Sequence, residues 1–144
     1  GQLTAYPILH LTAINKTLKW YVCALERAVM QACRGLGVET HTSPDTGVWV
    51  SDTSKICAIG IQGRRVTTHG IGLNCCTDLS WFGHIVPCGI HGKTVTSLSR
   101  ELQRHVSVSE AAGHFTRAFA EVFECSLEDD GTEIGIEELQ TLHS

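Results

Sequence analysis

In the stretch HIVPCGIHGKTVTSL, residues 84–98, one cysteine stands between a proline and a glycine. Proline fixes φ and glycine admits conformations that other residues avoid, so Cys88 belongs to a bend rather than to a strand or helix that would bury it. A thiol there is a nucleophile, a metal ligand, half of a disulfide, or a small loop residue. The other cysteines narrow this choice. There are seven in all, at positions 23, 33, 57, 75, 76, 88 and 125. An odd count without framework spacing is unlike a secreted disulfide scaffold, and a reducing compartment is expected. No Cys-x-x-Cys pair occurs, and Cys75 and Cys76 would point to opposite sides of a strand, so no metal site is expected. Cys57, Cys75 and Cys76 alternate with apolar residues and read as packing. Nearby, Gly70 and Gly72 interrupt the strand-like run TTHGIGLNCC, where a glycine often marks the close approach of a ligand or another backbone. His69 beside them is more often a structural histidine than a base, and is kept only as a residue lining a site.

The elements that must position these residues alternate in type. YPILHLT (6–12) reads as a short strand. NKTLKWYVCALERAVMQACRGLG (15–37) carries apolar residues at Leu18, Tyr21, Val22, Leu25, Val29, Cys33 and Leu36. That is a helical repeat, with Asn15 or Thr17 as N-cap and Gly35 or Gly37 as its stop. VETH, TGVWVSD, SKICAIGIQGRR and TTHGIGLNCCTDL follow as short β-rich runs, broken by the turn residues of TSPDTG. TVTSLSRELQRH then predicts a short helix. SVSEAAGHFTRAFAEVFEC predicts a longer one, opening on a Ser107/Glu110 capping box in which each side chain bonds the other's backbone amide. From Ser126 onward the chain is an acidic, peripheral tail. Its DDGTEIGIEEL resembles half a calcium loop but fails as one: with Glu137 last, Ser126 would be first and Glu133 would occupy an apolar position. Helix, strands and helices in 144 residues indicate one α+β domain, with a sheet of at least four strands and the helix near 16–35 on one face.

Composition agrees with a single core. Apolar residues make up 42% and charged residues 18%, enough for one hydrophobic interior and too little chain for two. A net charge of −4 argues against a nucleic-acid partner, which would need clustered Lys and Arg. No apolar run approaches the roughly 20 residues that span a bilayer, and no signal peptide opens the chain, so a soluble domain is expected. Gly1 in place of an initiator Met suggests a processed or cut start.

Three blocks carry a family resemblance: GQLTAYPILHL, TGVWVSDTSKICAIGIQGRRVTTHGIGLNCCTDLSWFGHIVPCGIHGKTVTSL and ELQRHVSV. They resemble successive blocks of the lipoyl(octanoyl) transferases, the LipB-type enzymes, and above all their animal mitochondrial form. Lys-Ile-Cys-Ala-Ile-Gly, His-Gly-x-x-Leu-Asn and Pro-Cys-Gly in that order are the specific part. The resemblance spans residues 1 to about 125, leaving 126–144 as tail. It implies a biotin/lipoate protein ligase-like mixed sheet flanked by helices. It also implies transfer of an octanoyl group from octanoyl-acyl carrier protein to a lysine of a lipoyl domain, through a cysteine thioester. The implied lipoyl-domain partners are the glycine cleavage H protein and 2-oxoacid dehydrogenase subunits. On this reading Cys88 is the nucleophile and Lys55 the residue that activates it. The acyl site is walled by the backbone around Ala58, Ile59 and Gly60 and around Gly70, Ile71 and Gly72.

The chemistry suits those residue types. A thiol of pKa about 8.5 is a few per cent ionised near neutrality, and the thiolate is what attacks a thioester. A neighbouring ammonium favours that form, and Lys55 is expected within about 4 to 6 Å of the Cys88 sulfur. A neutral Lys55 would also accept a proton from the incoming lysine. Thioester exchange is nearly balanced in energy, so no cofactor and no ATP is expected, and free amides near the glycines would hold the oxyanion. Without the resemblance Lys55 reads as a solvated charge at a strand start. Arg64 and Arg65 read as solubilising a strand end, or as a patch for an acidic carrier. Full-length family members carry further Arg-Gly-Gly and Thr-x-His-Gly-Pro blocks before the Gly-Gln of this chain. The sheet is therefore expected to be incomplete on its N-terminal side, with an exposed apolar patch or open edge there. Between Lys55 and Cys88 there is one residue fewer than in bacterial members, expected to come from the turn at Arg65–Thr68. Two alternatives remain: an inactive module that docks lipoyl domains or acyl carrier protein, and a lipoate ligase or amidotransferase.

Overall fold

The structure is a computed structural model that describes residues 1–63, 65–80 and 92–132. Arg64 and Cys88 lie outside the described residues. Among the described residues five strands and three helices follow one another as β1 (Gln2–Ala5), α1 (Leu18–Leu36), β2 (Val48–Trp49), β3 (Ser54–Gly63), β4 (Thr67–Asn74), β5 (Thr94–Val95), α2 (Leu98–Leu102) and α3 (Val108–Phe123). The strands form one mixed sheet in the order β1-β4-β3-β2, and β5 runs parallel to the start of β3. This is the α+β class expected from the alternation of element types.

Helix α1 forms where the apolar repeat is strongest. The Thr17 hydroxyl accepts from Trp20 N at 3.1 Å, and Gly37 stops the helix in the left-handed region at φ 96°. Its buried face, with Tyr21, Leu25, Val29 and Cys33, packs across β2, β3 and β4. Helix α3 lies beside α1 and reaches β1, adding Phe115 and Phe119 to the core. Sheet residues Cys57, Ile71 and Leu73 close that core from the other side.

Several expectations shift. Strand β1 is residues 2–5 rather than 6–12: Pro7 has no N–H to give a ladder, and its carbonyl accepts instead from Tyr21 Oη at 3.0 Å and Thr67 Oγ1 at 2.9 Å. Only His10 of the expected strand pairs, in an isolated bridge to Val66. VETH likewise reduces to a bridge between His41 and Trp49. The expected helix over 94–105 shrinks to Leu98–Leu102, because Thr94 and Val95 pair with Ser54 and Lys55 as a strand. The capping box forms by half. The Ser107 hydroxyl accepts from Glu110 N at 3.1 Å, but the Glu110 carboxylate is drawn to Arg104, whose Nη2 and Nη1 donate at 2.8 and 3.2 Å. A charge-assisted fork outcompetes a bond to a neutral amide. Strand β1 is the sheet's edge among the described residues, and Tyr6 and Ile8 beside it are exposed against an apolar groove formed with Phe115, Phe119 and Leu127.

Candidate functional site

The β3–β4 hairpin carries the residues expected to wall the acyl site. Its register pairs Ala58 with Gly72, Ile59 with Ile71 and Gly60 with Gly70. Side chains directly opposite share a face, and alternate residues change face. Ile59 and Ile71 therefore look into the core with Cys57 and Leu73. Ala58, Gly60, Gly70 and Gly72 form the opposite face, a strip almost bare of side chains on which Ala58 and Gly60 are exposed.

The glycines of this strip are not equivalent. A Cβ added at Gly60 meets nothing within 4 Å. At Gly72 it would press on the Gln2 side chain at 3.1 Å, itself held by a bond to Asn74. At Gly70 it would lie 1.8 Å from the Ala5 carbonyl oxygen. Gly70 thus has a packing reason, the close passage of the chain leaving β1, while Gly60 borders open space. Just before Gly70, His69 is exposed and takes φ 63°, a left-handed conformation unusual for a non-glycine residue inside a strand. Its Nε2 lies 3.2 Å from Gln62 Oε1.

Lys55 is not a solvated charge: only 6% of it is exposed. The pairing of β2 with β3 explains how a cation is placed there. Val48 pairs with Cys57, but Trp49 pairs with Lys55, so Ile56 is an extra residue in β3, a β-bulge. Val48 and Trp49 alternate on β2, so the bulge turns Lys55 to the face opposite Cys57. Burial agrees, since Val48 belongs to the main core cluster and the equally buried Trp49 does not. Lys55 therefore shares the face of Ala58 and Gly60, about 10 Å along the strand from Ala58.

The ammonium of Lys55 is tightly surrounded. It donates to the Thr46 carbonyl at 3.0 Å and lies 4.6 Å from the centre of the Trp49 ring. A cation over an indole face is stabilised by the ring quadrupole. Lys93 stands over the same ring at 5.0 Å, and the Trp49 indole N–H donates to the Asp45 carbonyl at 3.0 Å. The other cysteines expected to pack do so. Cys33, Cys57 and Cys75 are buried and Cys76 is half-buried. Burial pushes the Cys33 thiol up to about 12, with the neighbouring Cys75 adding to the effect, and raises those of Cys57 and Cys75. These thiols are held neutral and unreactive. No cluster of metal-ligating side chains occurs among the described residues.

The sequence reading missed Trp49, Thr46, Gly47 and Glu26. Glu26 is 8% exposed on the inner face of α1, and its Oε1 accepts from Gly47 N at 3.2 Å. Its signal was present: Glu26 stands four residues after Val22 and three before Val29, a carboxylate on the apolar stripe.

A mixed sheet with helices packed on one face is the architecture of lipoate and biotin protein ligases. The chain matches a crystal structure of lipoate-protein ligase A bound with ATP at a TM-score of 0.68, with 16% identity, covering 88% of this chain and 54% of that one. Biotin protein ligase from Aquifex aeolicus matches at 0.65, with 15% identity, covering 86% of this chain and 53% of that one. Residues 1–120 match the lipoyl protein ligase A/B catalytic domain, and the chain belongs to that family. Among its relatives, the octanoyl-acyl-carrier-protein:protein N-octanoyltransferase LIPT2, mitochondrial, of Danio rerio is 56% identical over 133 residues, which are 92% of this chain and 59% of that protein. The protein of the same name in Homo sapiens is 48% identical over 131 residues, 88% of this chain and 56% of that protein. The chain spans little more than half the length of these relatives.

Proposed function

We propose that this chain carries the thioester half-site of a mitochondrial octanoyltransferase, an acyltransferase of lipoate biosynthesis. It would move an octanoyl group from octanoyl-acyl carrier protein to a lysine of a lipoyl domain, as in the glycine cleavage H protein or 2-oxoacid dehydrogenase subunits. The observation that carries the reading is the buried Lys55 ammonium, turned by the β3 bulge to the bare strip of Ala58 and Gly60 in a chain whose relatives bear that name.

In the first half-reaction the Cys88 thiolate attacks the carrier thioester. The new carbon–sulfur bond replaces the one to the carrier, and the departing carrier thiolate takes a proton from the Lys55 ammonium, which leaves Lys55 neutral for the second step. In the second, the amine of the target lysine attacks the enzyme thioester, an amide forms, and Cys88 leaves as thiolate while the amine proton passes to the base at Lys55. Lys55 favours the thiolate in the first step by its charge. Ala58 and Gly60, with Ile59 turned inward, would leave room for an acyl chain lying on the backbone, bordered by the backbone of Gly70, Ile71 and Gly72 and by His69.

Intact-mass measurement after incubation with octanoyl-acyl carrier protein tests this, with the chain alone and with the chain joined to the residues that the Danio rerio relative has outside the match. An octanoyl adduct should form without ATP, disappear in Cys88→Ser, and form more slowly in Lys55→Ala with a rate that rises towards the thiol's ordinary pKa of about 8.5. An adduct retained in Cys88→Ser refutes the thioester route, and a strict need for ATP makes the chain a ligase. Binding of carrier without any adduct makes it a docking module.

A further inference from the structure

The Thr46–Gly47 peptide group makes two contacts that had no place in the sequence reading. Its carbonyl accepts from the Lys55 ammonium at 3.0 Å, and its N–H donates to the Glu26 carboxylate at 3.2 Å. The bond is trans, as are all the described peptides, so carbonyl and N–H point in opposite directions. A buried ammonium therefore sits at the negative pole of one peptide dipole and a buried carboxylate at its positive pole. Charge at each end polarises the shared amide and strengthens the bond at the other end. Gly47 has φ 132°, and a Cβ there would meet the Cys57 carbonyl oxygen at 2.7 Å and Lys55 Cε at 3.1 Å. Only glycine fits, and it fits against the lysine stem.

We infer that Glu26 is a positioning residue for Lys55, acting across the membrane-thin layer of one peptide group: the carboxylate on α1 orients the Thr46–Gly47 amide, and the amide holds the ammonium beside the acyl strip. The link explains why a carboxylate is kept on the buried face of α1. Among the described residues it bonds one backbone N–H, and through that amide it is linked to the Lys55 ammonium. The consequence for catalysis rests on the octanoyltransferase reading, but the link itself does not.

Two measurements separate these. In 15N-labelled protein the exchange rate of the Lys55 Nζ protons reports how firmly the ammonium is held, with the Gly47 amide shift as control for the bond to Glu26. Glu26→Ala should speed that exchange at least tenfold, Glu26→Gln should largely preserve it by keeping an oxygen acceptor, and Glu26→Asp, one methylene too short, should behave as Glu26→Ala. In adduct formation from octanoyl-acyl carrier protein, Glu26→Ala should lower kcat about tenfold with little change in KM, and should add nothing further in a Lys55→Ala background. A merely structural role would lower the melting temperature yet leave the two substitutions additive. Unchanged Lys55 exchange in both Glu26→Ala and Glu26→Asp, or full additivity with Lys55→Ala, overturns the inference. Faster exchange in Glu26→Ala together with full activity in Lys55→Ala would uphold the link and refute the role given to Lys55.

Discussion

Substituting Gly60 and Gly70 separates the two reasons a strand can hold glycine. At Gly60 an added Cβ meets nothing within 4 Å, so Gly60→Ala removes backbone freedom from the unfolded chain without a clash in the folded one. It should stabilise by about 0.5 to 1 kcal/mol. At Gly70 the same methyl would stand 1.8 Å from the Ala5 oxygen, and the β1–β4 pairing must open by more than an ångström to admit it. Overpacking of this kind costs about 1 to 3 kcal/mol. For a domain of this size that is a fall in melting temperature of about 3 to 10 °C. Thermal melts followed by circular dichroism should therefore move in opposite directions. The functional arm uses Gly60→Leu, whose side chain would occupy the strip where the acyl chain is proposed to lie. The protein should stay folded while octanoyl adduct formation falls at least tenfold, equivalent to about 1.4 kcal/mol in the barrier. A folded Gly60→Leu protein that acquires octanoyl at the parent rate would refute the strip as the acyl site. A Gly70→Ala protein that melts with the parent would refute the close approach of the β1 exit.

The buried thiols predict an alkaline loss of stability. Cys33 has a folded pKa of about 12 against about 8.5 unfolded, so its contribution is complete below pH 8.5 and declines as pH rises towards 12. About 2 kcal/mol should be gone by pH 10, and Cys33→Ala should flatten part of that slope in urea titrations. An identical pH slope in the variant would show that Cys33 ionises freely in the folded chain. At the acid end, the Arg104 fork holds the Glu110 carboxyl below its ordinary range. Its stabilising effect is present above the unfolded value of about 4.3 and disappears as pH falls through the lower folded value. Glu110→Gln should remove that acid dependence of α3 helicity while leaving the Ser107 cap intact, and an unaltered acid profile would exclude the pair as its source.

What could be read in the sequence was what repeats locally. Helix α1 announced itself through a 3.6-residue apolar period with Thr17 and Gly37 at its ends, and α3 through Ser107 three residues before Glu110. The β3–β4 hairpin was legible as two alternating runs, and it brings Ala58–Gly60 opposite Gly70–Gly72. The first strand was misplaced because YPILHLT has strand composition while Pro7 cannot pair. The short β5 was missed because two residues carry no period at all.

The burial of Lys55 was illegible for a deeper reason. Lys-Ile-Cys-Ala-Ile-Gly read alone alternates regularly and would put Lys55 on the face of Cys57, within the hydrocarbon core. An ammonium buried there without a partner costs several kcal/mol. The structure avoids this with one extra residue, Ile56, whose presence is a property of the β2–β3 register and appears only when the two strands are laid side by side. The bulge turns the cation away from the core, towards the Trp49 ring and the Thr46 carbonyl, both supplied by the segment that also forms β2. An irregularity that weakens the ladder between two strands is justified by where it places one charge, and that charge is the residue on which the proposed chemistry depends.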